Sequence, residues 1–391
     1  MTKKMFSFFP LLILAFSLCL TTGATGAHAR DALLDGTFEG VWFQPDSSDM
    51  NLDWFVMDFD GRGNWSMPED PSYYGSYEID GQGRLVVLQA DTGAGSVTYI
   101  GSVCPQGVLI SLPDPPESPN PGISIALKRP GSPSQLQDPA GKRFNMVDFT
   151  YRRQQPEILA GFIEFDPSGE TLAMYANRYS EEPDEFDGRL VDPPGNIPYT
   201  YADGRILMGE TPIGTISPDG SWIIIAKQDE NEPGIILMSQ SDDVGTEALE
   251  GLYFRTFCSR YTHEPESRAG TVGPMAIDGA GNWQIHGGPG GIYDFLDNRG
   301  RLEIIQTNPT NLVITRHGAA SPCGNVILVP DMDGGERGVS LLVSTPLPDA
   351  EDPSDPENGD PADPGDDDPN DEEPGKGGGG SSSGCFVQSL K

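Results

Sequence analysis

The sequence predicts an all-β protein: three tandem antiparallel meander repeats of about eight strands each, forming small barrel-like units. Two observations predict this. A run of three hairpin turns occurs three times along the 391 residues. The stretches between turns are short, apolar, and rich in β-branched and aromatic types. The first run is Asp60-Gly61-Arg62-Gly63, Asp80-Gly81-Gln82-Gly83 and Cys104-Pro105-Gln106-Gly107. The second is Asp166-Pro167-Ser168-Gly169, Asp203-Gly204 and Ser217-Pro218-Asp219-Gly220. The third is Asp278-Gly279-Ala280-Gly281, Asp297-Asn298-Arg299-Gly300 and Ser321-Pro322-Cys323-Gly324. A period of about a hundred residues suits a small domain better than a solenoid unit.

The chain is read from its start as follows. Residues 1–29 have the form of a secretory signal peptide: Lys3 and Lys4, an apolar run from Phe6 to Leu20, then Ala27-His28-Ala29. Repeat 1 spans 37–129, repeat 2 spans 139–240 and repeat 3 spans 246–344. Each opens on an apolar segment after a glycine: Gly40-Val41-Trp42-Phe43, Gly141-Lys142-Arg143-Phe144 and Gly251-Leu252-Tyr253-Phe254. Three hairpins follow, and a last strand closes each: Ile123 to Leu127, Ile235 to Met238, and Val339 to Val343. Spacings of roughly twenty residues between the first two turns of repeats 1 and 3 allow two strands and a tight return. Those turns then share one end of the meander. Repeat 2 carries an acidic, Pro-rich excursion from Ser180 to Pro198, expected as an exposed loop.

Residues 345–376 form an acidic Pro/Asp-rich spacer, with thirteen acidic residues and no basic one between Asp349 and Glu373. Such a segment has too little apolar surface to offset chain entropy. Residues 377–391 are a Gly/Ser run ending in Cys385 and six more residues. The formal net charge of −35 argues against nucleic acid and anionic membranes as partners.

Three resemblances attach to these motifs. Gly40-Val41-Trp42 resembles the G-x-W opening of lipocalin-type barrels, which implies a closed barrel and an apolar ligand. Ser217-Pro218-Asp219-Gly220 followed by Ile223 to Ala226 resembles blade motifs of TolB-type propellers, which implies six blades instead. The Gly/Ser run with Cys385 resembles C-terminal sorting tails of Gram-negative surface proteins, truncated after the cysteine. That resemblance implies attachment to the envelope through Cys385.

Candidate sites are scattered. The Asp/Gly turns partly resemble calcium loops but lack the later acidic ligands, and turn chemistry accounts for them. No other cofactor is expected. Cys258, His263 and His286 are metal-ligand types in repeat 3, yet the meander places them away from His317 and Cys323. Pairing among Cys104, Cys258, Cys323 and Cys385 stays open. Aromatics concentrate in repeat 1, and Trp42, Trp65, Tyr73 and Tyr74 are candidate ligand contacts against a core-filling alternative. Arg84, Arg205 and Arg301 follow the second turn of each repeat. They are candidates for an anionic ligand, or partners of the nearby turn aspartates. The motifs of hydrolases, phosphate loops and metalloproteases are missing. The expected function is a non-enzymatic, exported β-repeat protein of the bacterial envelope or surface, in a binding or spacing role. Its partner is unknown. The alternatives are small apolar-ligand binding in lipocalin-like barrels and a carboxylate-dependent glycan-acting enzyme.

Overall fold

The computed structural model describes residues 33–345, apart from 46–49, 81, 91–95, 116, 119–120, 153–154, 179–195, 229–232, 243, 262–266, 287, 308–312 and 332–335. The leader, the tail with Cys385, His263 and most of the 180–198 excursion lie outside the described residues.

Three antiparallel sheets follow one another, the first and third closed barrels and the second nearly closed. Barrel 1 comprises β1 (Asp35–Pro45), β2 (Met50–Asp60), β3 (Asn64–Ser66), β4 (Tyr74–Ile79), β5 (Arg84–Gln89), β6 (Val97–Val103), β7 (Leu109–Pro113) and β8 (Ile123–Lys128). Each strand pairs with the next, and β8 closes on β1. Barrel 2 comprises β9 (Arg143–Arg152), β10 (Gln155–Phe165), β11 (Thr171–Arg178), β12 (Ile197–Pro198), β13 (Thr200–Ala202), β14 (Arg205–Met208), β15 (Thr211–Ile216), β16 (Trp222–Lys227) and β17 (Gly234–Gln240). Here β17 pairs with β9, and the free edges are β12 and β13, separated only by Tyr199. Barrel 3 comprises β18 (Gly251–Tyr261), β19 (Ser267–Ile277), β20 (Asn282–Ile285), β21 (Gly290–Phe295), β22 (Arg301–Thr307), β23 (Val313–Ala320), β24 (Val326–Asp331) and β25 (Glu336–Ser344), which closes on β18.

These sheets overturn the propeller alternative. A propeller would split each repeat into two separate four-stranded sheets, whereas here all the strands of each repeat pair in one sheet, closed in repeats 1 and 3 and nearly closed in repeat 2. The end of the 180–198 excursion is also not loop, since Ile197 and Pro198 pair with β11.

The turns take their shape from local hydrogen bonds. Asp60 Oδ1 accepts from the backbone N–H groups of Arg62 at 2.8 Å and Asn64 at 2.9 Å. Asp278 does the same with Ala280 and Asn282. Gly63 and Gly281 follow at φ of 91° and 99°, a region that a side chain resists. In the third turns Ser217 and Ser321 accept the N–H of Trp222 at 3.0 Å and Val326 at 3.1 Å. Cys104 stands at the same place, its sulfur accepting from Leu109. All these residue types are accounted for by turn geometry.

Each barrel encloses an apolar interior, and a further cluster lies outside all three. The final strands divide their side chains between the two kinds of core. In β17, Ile235 and Leu237 face the shared cluster, while Ile236 and Met238 face the interior of barrel 2. In β25, Leu341 and Val343 face the shared cluster and Leu342 the interior of barrel 3. The continuous apolar runs thus mark strands buried on both faces.

The barrels close into a head-to-tail cycle. The inward residues Phe38, Phe144 and Tyr253 pair across the sheet with Met57, Ile163 and Met275, so Glu39, Asn145 and Phe254 are equivalent outward positions. Each meets the second turn of another barrel. Arg205 of barrel 2 pairs with Glu39 of barrel 1 at 2.6 Å. Arg84 of barrel 1 lies 5.9 Å over the Phe254 ring of barrel 3. The carbonyl of Arg299 in barrel 3 accepts from Asn145 of barrel 2 at 2.6 Å. The order two to one, one to three, three to two returns to its start. This is the closure of a heterologous three-membered ring within one chain.

Candidate ligand-binding cavity

Barrels 1 and 3 share a plan, and their differences hollow out barrel 3. At the turn end a leucine plugs each. Leu34 closes barrel 1 and its carbonyl accepts from the Tyr77 hydroxyl at 2.7 Å. Leu249 closes barrel 3 from the short helical turn Thr246–Leu249, whose Thr246 carbonyl accepts from the Tyr293 hydroxyl at 3.3 Å. Burial raises the Tyr253 and Tyr293 phenols above their ordinary pKa, so both stay neutral hydrogen-bond donors.

Register identifies what changes above the plug. Gly40 pairs with Phe55 in barrel 1, and the equivalent pair in barrel 3 is Arg255 with Val272. Two inward positions closer to the plug, Gly36 faces Phe59 and Gly251 faces Ile277. Two phenyl rings of barrel 1 are therefore aliphatic in barrel 3. A cavity of about 350 Å³ lies there, lined below by Leu249, Met275, Ile277 and Leu302 and above by Arg255, Arg268 and Arg316. This is within the range of small-molecule sites. Trp283 also lines it, and its indole N–H has no partner among the described residues. In barrel 1 the equivalent Trp65 donates to the Leu88 carbonyl at 3.3 Å.

Arg255 is fixed in place. Its Nε donates to Ser340 Oγ at 2.8 Å, and its guanidinium lies 4.9 Å over the Phe257 ring. Arg316 occupies the place of Tyr99 in barrel 1, since both stand two residues before the glycine facing Leu85 or Leu302. Arg268 faces Ser259 as Asn51 faces Gln44. Among its described residues the wall contains no Asp, Glu, His, Cys or Ser. The described wall can hold and orient a molecule.

Barrel 2 uses its interior differently. Asp148 is fully buried there, accepting from Thr150 Oγ1 at 2.6 Å and from Lys227. A second, wider groove of about 660 Å³ runs between barrels 1 and 3, past Arg84, Asp114, Phe254 and Thr271. Its wall carries both charge signs. Asp114 is already engaged by the indole of Trp42 at 3.2 Å and the Gly122 N–H at 2.8 Å.

The residues singled out by sequence fall elsewhere. Trp65 is buried in the filled interior of barrel 1, and Trp42 packs at its edge. Tyr73 and Tyr74 are exposed. Arg84 pairs with Asp80 at 2.7 Å and Arg301 with Asp297 at 2.6 Å, as turn pairing requires. Arg205 departs from that pattern: its partner is Glu39 of barrel 1, because its hairpin abuts that barrel. Cys258 is buried in the shared cluster and His286 is exposed near the Pro274 carbonyl. Among the described residues no group of three or more His, Cys, Asp or Glu is placed to hold a metal ion. Cys104, Cys258 and Cys323 are free thiols.

No protein-family model matches the sequence, and no curated protein matches it. Among solved structures the chain is similar to a variant of transferrin binding protein B from Haemophilus parasuis Hp5, at 9% identity and a TM-score of 0.24 over 79% of this chain and 76% of that one. It is similar to isotype 1 transferrin binding protein B of serogroup B Neisseria meningitidis at 12% identity and a TM-score of 0.27, over 75% of this chain and 63% of that one. TM-scores of this size do not establish a common fold.

Proposed function

We propose that this chain is a non-enzymatic, exported binding protein of the bacterial envelope, with barrel 3 as the site for a small apolar ligand. The observation that carries this reading is the cavity of about 350 Å³ enclosed by the described strands of barrel 3. An apolar cavity of that size gains free energy by admitting apolar surface from water. The absence of carboxylate, histidine and thiol among the described lining residues supports binding over catalysis. The signal-peptide pattern of residues 1–29 and the Cys385 tail support export and envelope attachment.

Fluorescence titration with the neutral probe 1-aminoanthracene tests the site. Saturable binding to the native chain, lost in Val272→Phe, supports it. Val272→Phe restores the ring that barrel 1 has at Phe55, so the fold tolerates the residue type at that place. Absence of saturable binding, or equal binding by the variant, refutes it. Fractionation of cells expressing the chain with and without residues 349–391 tests attachment. The account expects release of the truncated chain, and an unchanged distribution excludes anchoring by the tail.

A further inference from the structure

We infer that barrel 2 carries an internal amide cross-link, formed between the Lys227 amine and the Asp148 carboxyl with loss of one water. The place is built across three strands. Asp148 and Thr150 lie on β9, Lys227 lies on β16, and β17 runs between them. Gly234 of β17 faces Lys227 on one side and Thr150 on the other. A Cβ at Gly234 would stand 2.9 Å from Thr150 Oγ1, closer than real side chains approach. That glycine clears the path by which the lysine crosses β17 to reach β9. Its Nζ donates to Asp148 Oδ2 and, at 2.8 Å, to Thr150 Oγ1.

The surroundings favour condensation over a lasting ion pair. Asp148 is fully buried, flanked across the sheet by Leu159 and Ile236, which pack in the interior of barrel 2. Withdrawing a charge pair from water is costly, and an amide carries no charge. Holding the amine against the carboxyl replaces a bimolecular encounter by an intramolecular one. Thr150 touches both reacting groups: it accepts from Lys227 Nζ and donates to Asp148 Oδ1 at 2.6 Å. It is therefore the catalytic residue of the step. The ammonium passes one proton to Thr150 Oγ1 as Thr150 passes its own to Asp148 Oδ1. The freed amine nitrogen attacks Asp148 Cγ, and the Nζ–Cγ bond forms. A second proton moves from Nζ to Oδ1, the Cγ–Oδ1 bond breaks, and that oxygen leaves as water. One ammonium and one carboxylate thus become one neutral amide and one water, with no oxidant or cofactor. The lysine side chain is 28% exposed, which leaves the water an exit.

The other two barrels supply the internal control. In barrel 1 Asp114 takes the position of Lys227, beside Gly122, and accepts from the Trp42 indole at 3.2 Å. Trp42 is the equivalent of Asp148, since each lies four residues beyond the inward Phe38 or Phe144. In barrel 3 register sets Asp331 opposite Gly338 and Gly338 opposite Ser259. The counterparts of Lys227 and Asp148 there are Asp331 and Phe257. Of the three repeats, only the second has an amine and a carboxyl at the two positions. It is also the repeat whose sheet strand pairing leaves unclosed.

The experiment is peptide mass spectrometry of the purified full chain, denatured and digested with trypsin. The result expected is a linked pair that joins the peptides of Asp148 and Lys227 and is one water lighter than their sum. The pair decides the matter rather than the intact mass, since Asp-Gly turns such as Asp60-Gly61 can lose water to a cyclic imide. Lys227→Arg keeps a cation at the place but cannot form the amide. Its linked pair should vanish while its circular dichroism stays native. Thr150→Val removes the proton relay and should slow linkage by about a hundredfold in a cell-free pulse–chase, the usual contribution of a positioned acid–base group. A native chain that is folded by circular dichroism and yields the two peptides unlinked overturns the cross-link. Linkage at the native rate in Thr150→Val overturns the relay.

Discussion

Phe149→Ala separates a closed ring of barrels from three independent ones. Phe149 lies on the outer face of barrel 2, where an isolated barrel would expose it to water. In the ring it is fully buried in the shared cluster, edge-to-face with Phe43 of barrel 1 at a centroid distance of 5.0 Å and 77° between planes. Truncating an exposed side chain shifts stability by about 0.5 kcal/mol or less. Truncating a phenylalanine at a packed site costs ~3–5 kcal/mol. The aromatic pair adds a specific coupling of ~0.5–1.5 kcal/mol, readable from a double-mutant cycle with Phe43→Ala. The assay is urea unfolding of the native, single and double variants, followed by both far-ultraviolet circular dichroism and tryptophan fluorescence. A destabilisation of several kcal/mol with non-additive singles supports the ring. A Phe149→Ala effect within about 0.5 kcal/mol, additive with Phe43→Ala, refutes it.

Three further outcomes follow from the same geometry. Burial pushes the Cys104 thiol up to about 11 and Cys258 is fully buried, whereas Cys323 is exposed. Iodoacetamide at neutral pH should label Cys323 and spare the other two until denaturant is added, as read by peptide mass spectrometry. Glu39 accepts from Arg205 and Arg129 at the junction of barrels 1 and 2, so Glu39→Gln should destabilise by ~1–3 kcal/mol in urea unfolding. The Ser168 side chain and N–H hold Asp166 below the usual carboxylate range; at Asp297 burial is the largest single influence and pushes upward, but the Arg301 side-chain bond and charge and the N–H groups of Arg299 and Arg301 together outweigh it, and the net shift is also down. Depressed native values give stability that is present above the ordinary aspartate pKa of ~3.9 and lost as pH falls through the native values. The urea midpoint should therefore hold steady down to about pH 4 and drop below it; a midpoint that rises on acidification would contradict the turn chemistry.

The repeat, the strand content and the barrel class were legible because turns and patterning are local. Asp60-Gly61 and Asp278-Gly279 declare their hydrogen bonds within four residues. The ring was written in the sequence in a less direct way. Trp222-Ile223-Ile224-Ile225-Ala226 lacks the alternation of a half-exposed strand, and that continuity records burial on both faces. Reading it required knowing which barrel supplies the second face, a contact between residues far apart in the chain. Arg205 illustrates the same limit: adjacency suggests Asp203, while its partner Glu39 lies 166 residues away. The cavity was the least legible feature. Aromatics drew attention to repeat 1, where they fill the interior, and the site lies where repeat 3 lacks them. Comparing Phe55 with Val272 and Tyr99 with Arg316 position by position would have pointed there, but those equivalences depend on strand register.

The most direct test of the account is a crystal structure of the chain under xenon pressure. Apolar cavities admit xenon, and filled interiors do not. The account predicts xenon inside barrel 3 beside Met275, Ile304 and Val329, with none at the positions of Phe55 and Phe59 in barrel 1. A barrel 3 interior closed by its own side chains, without xenon, would contradict it.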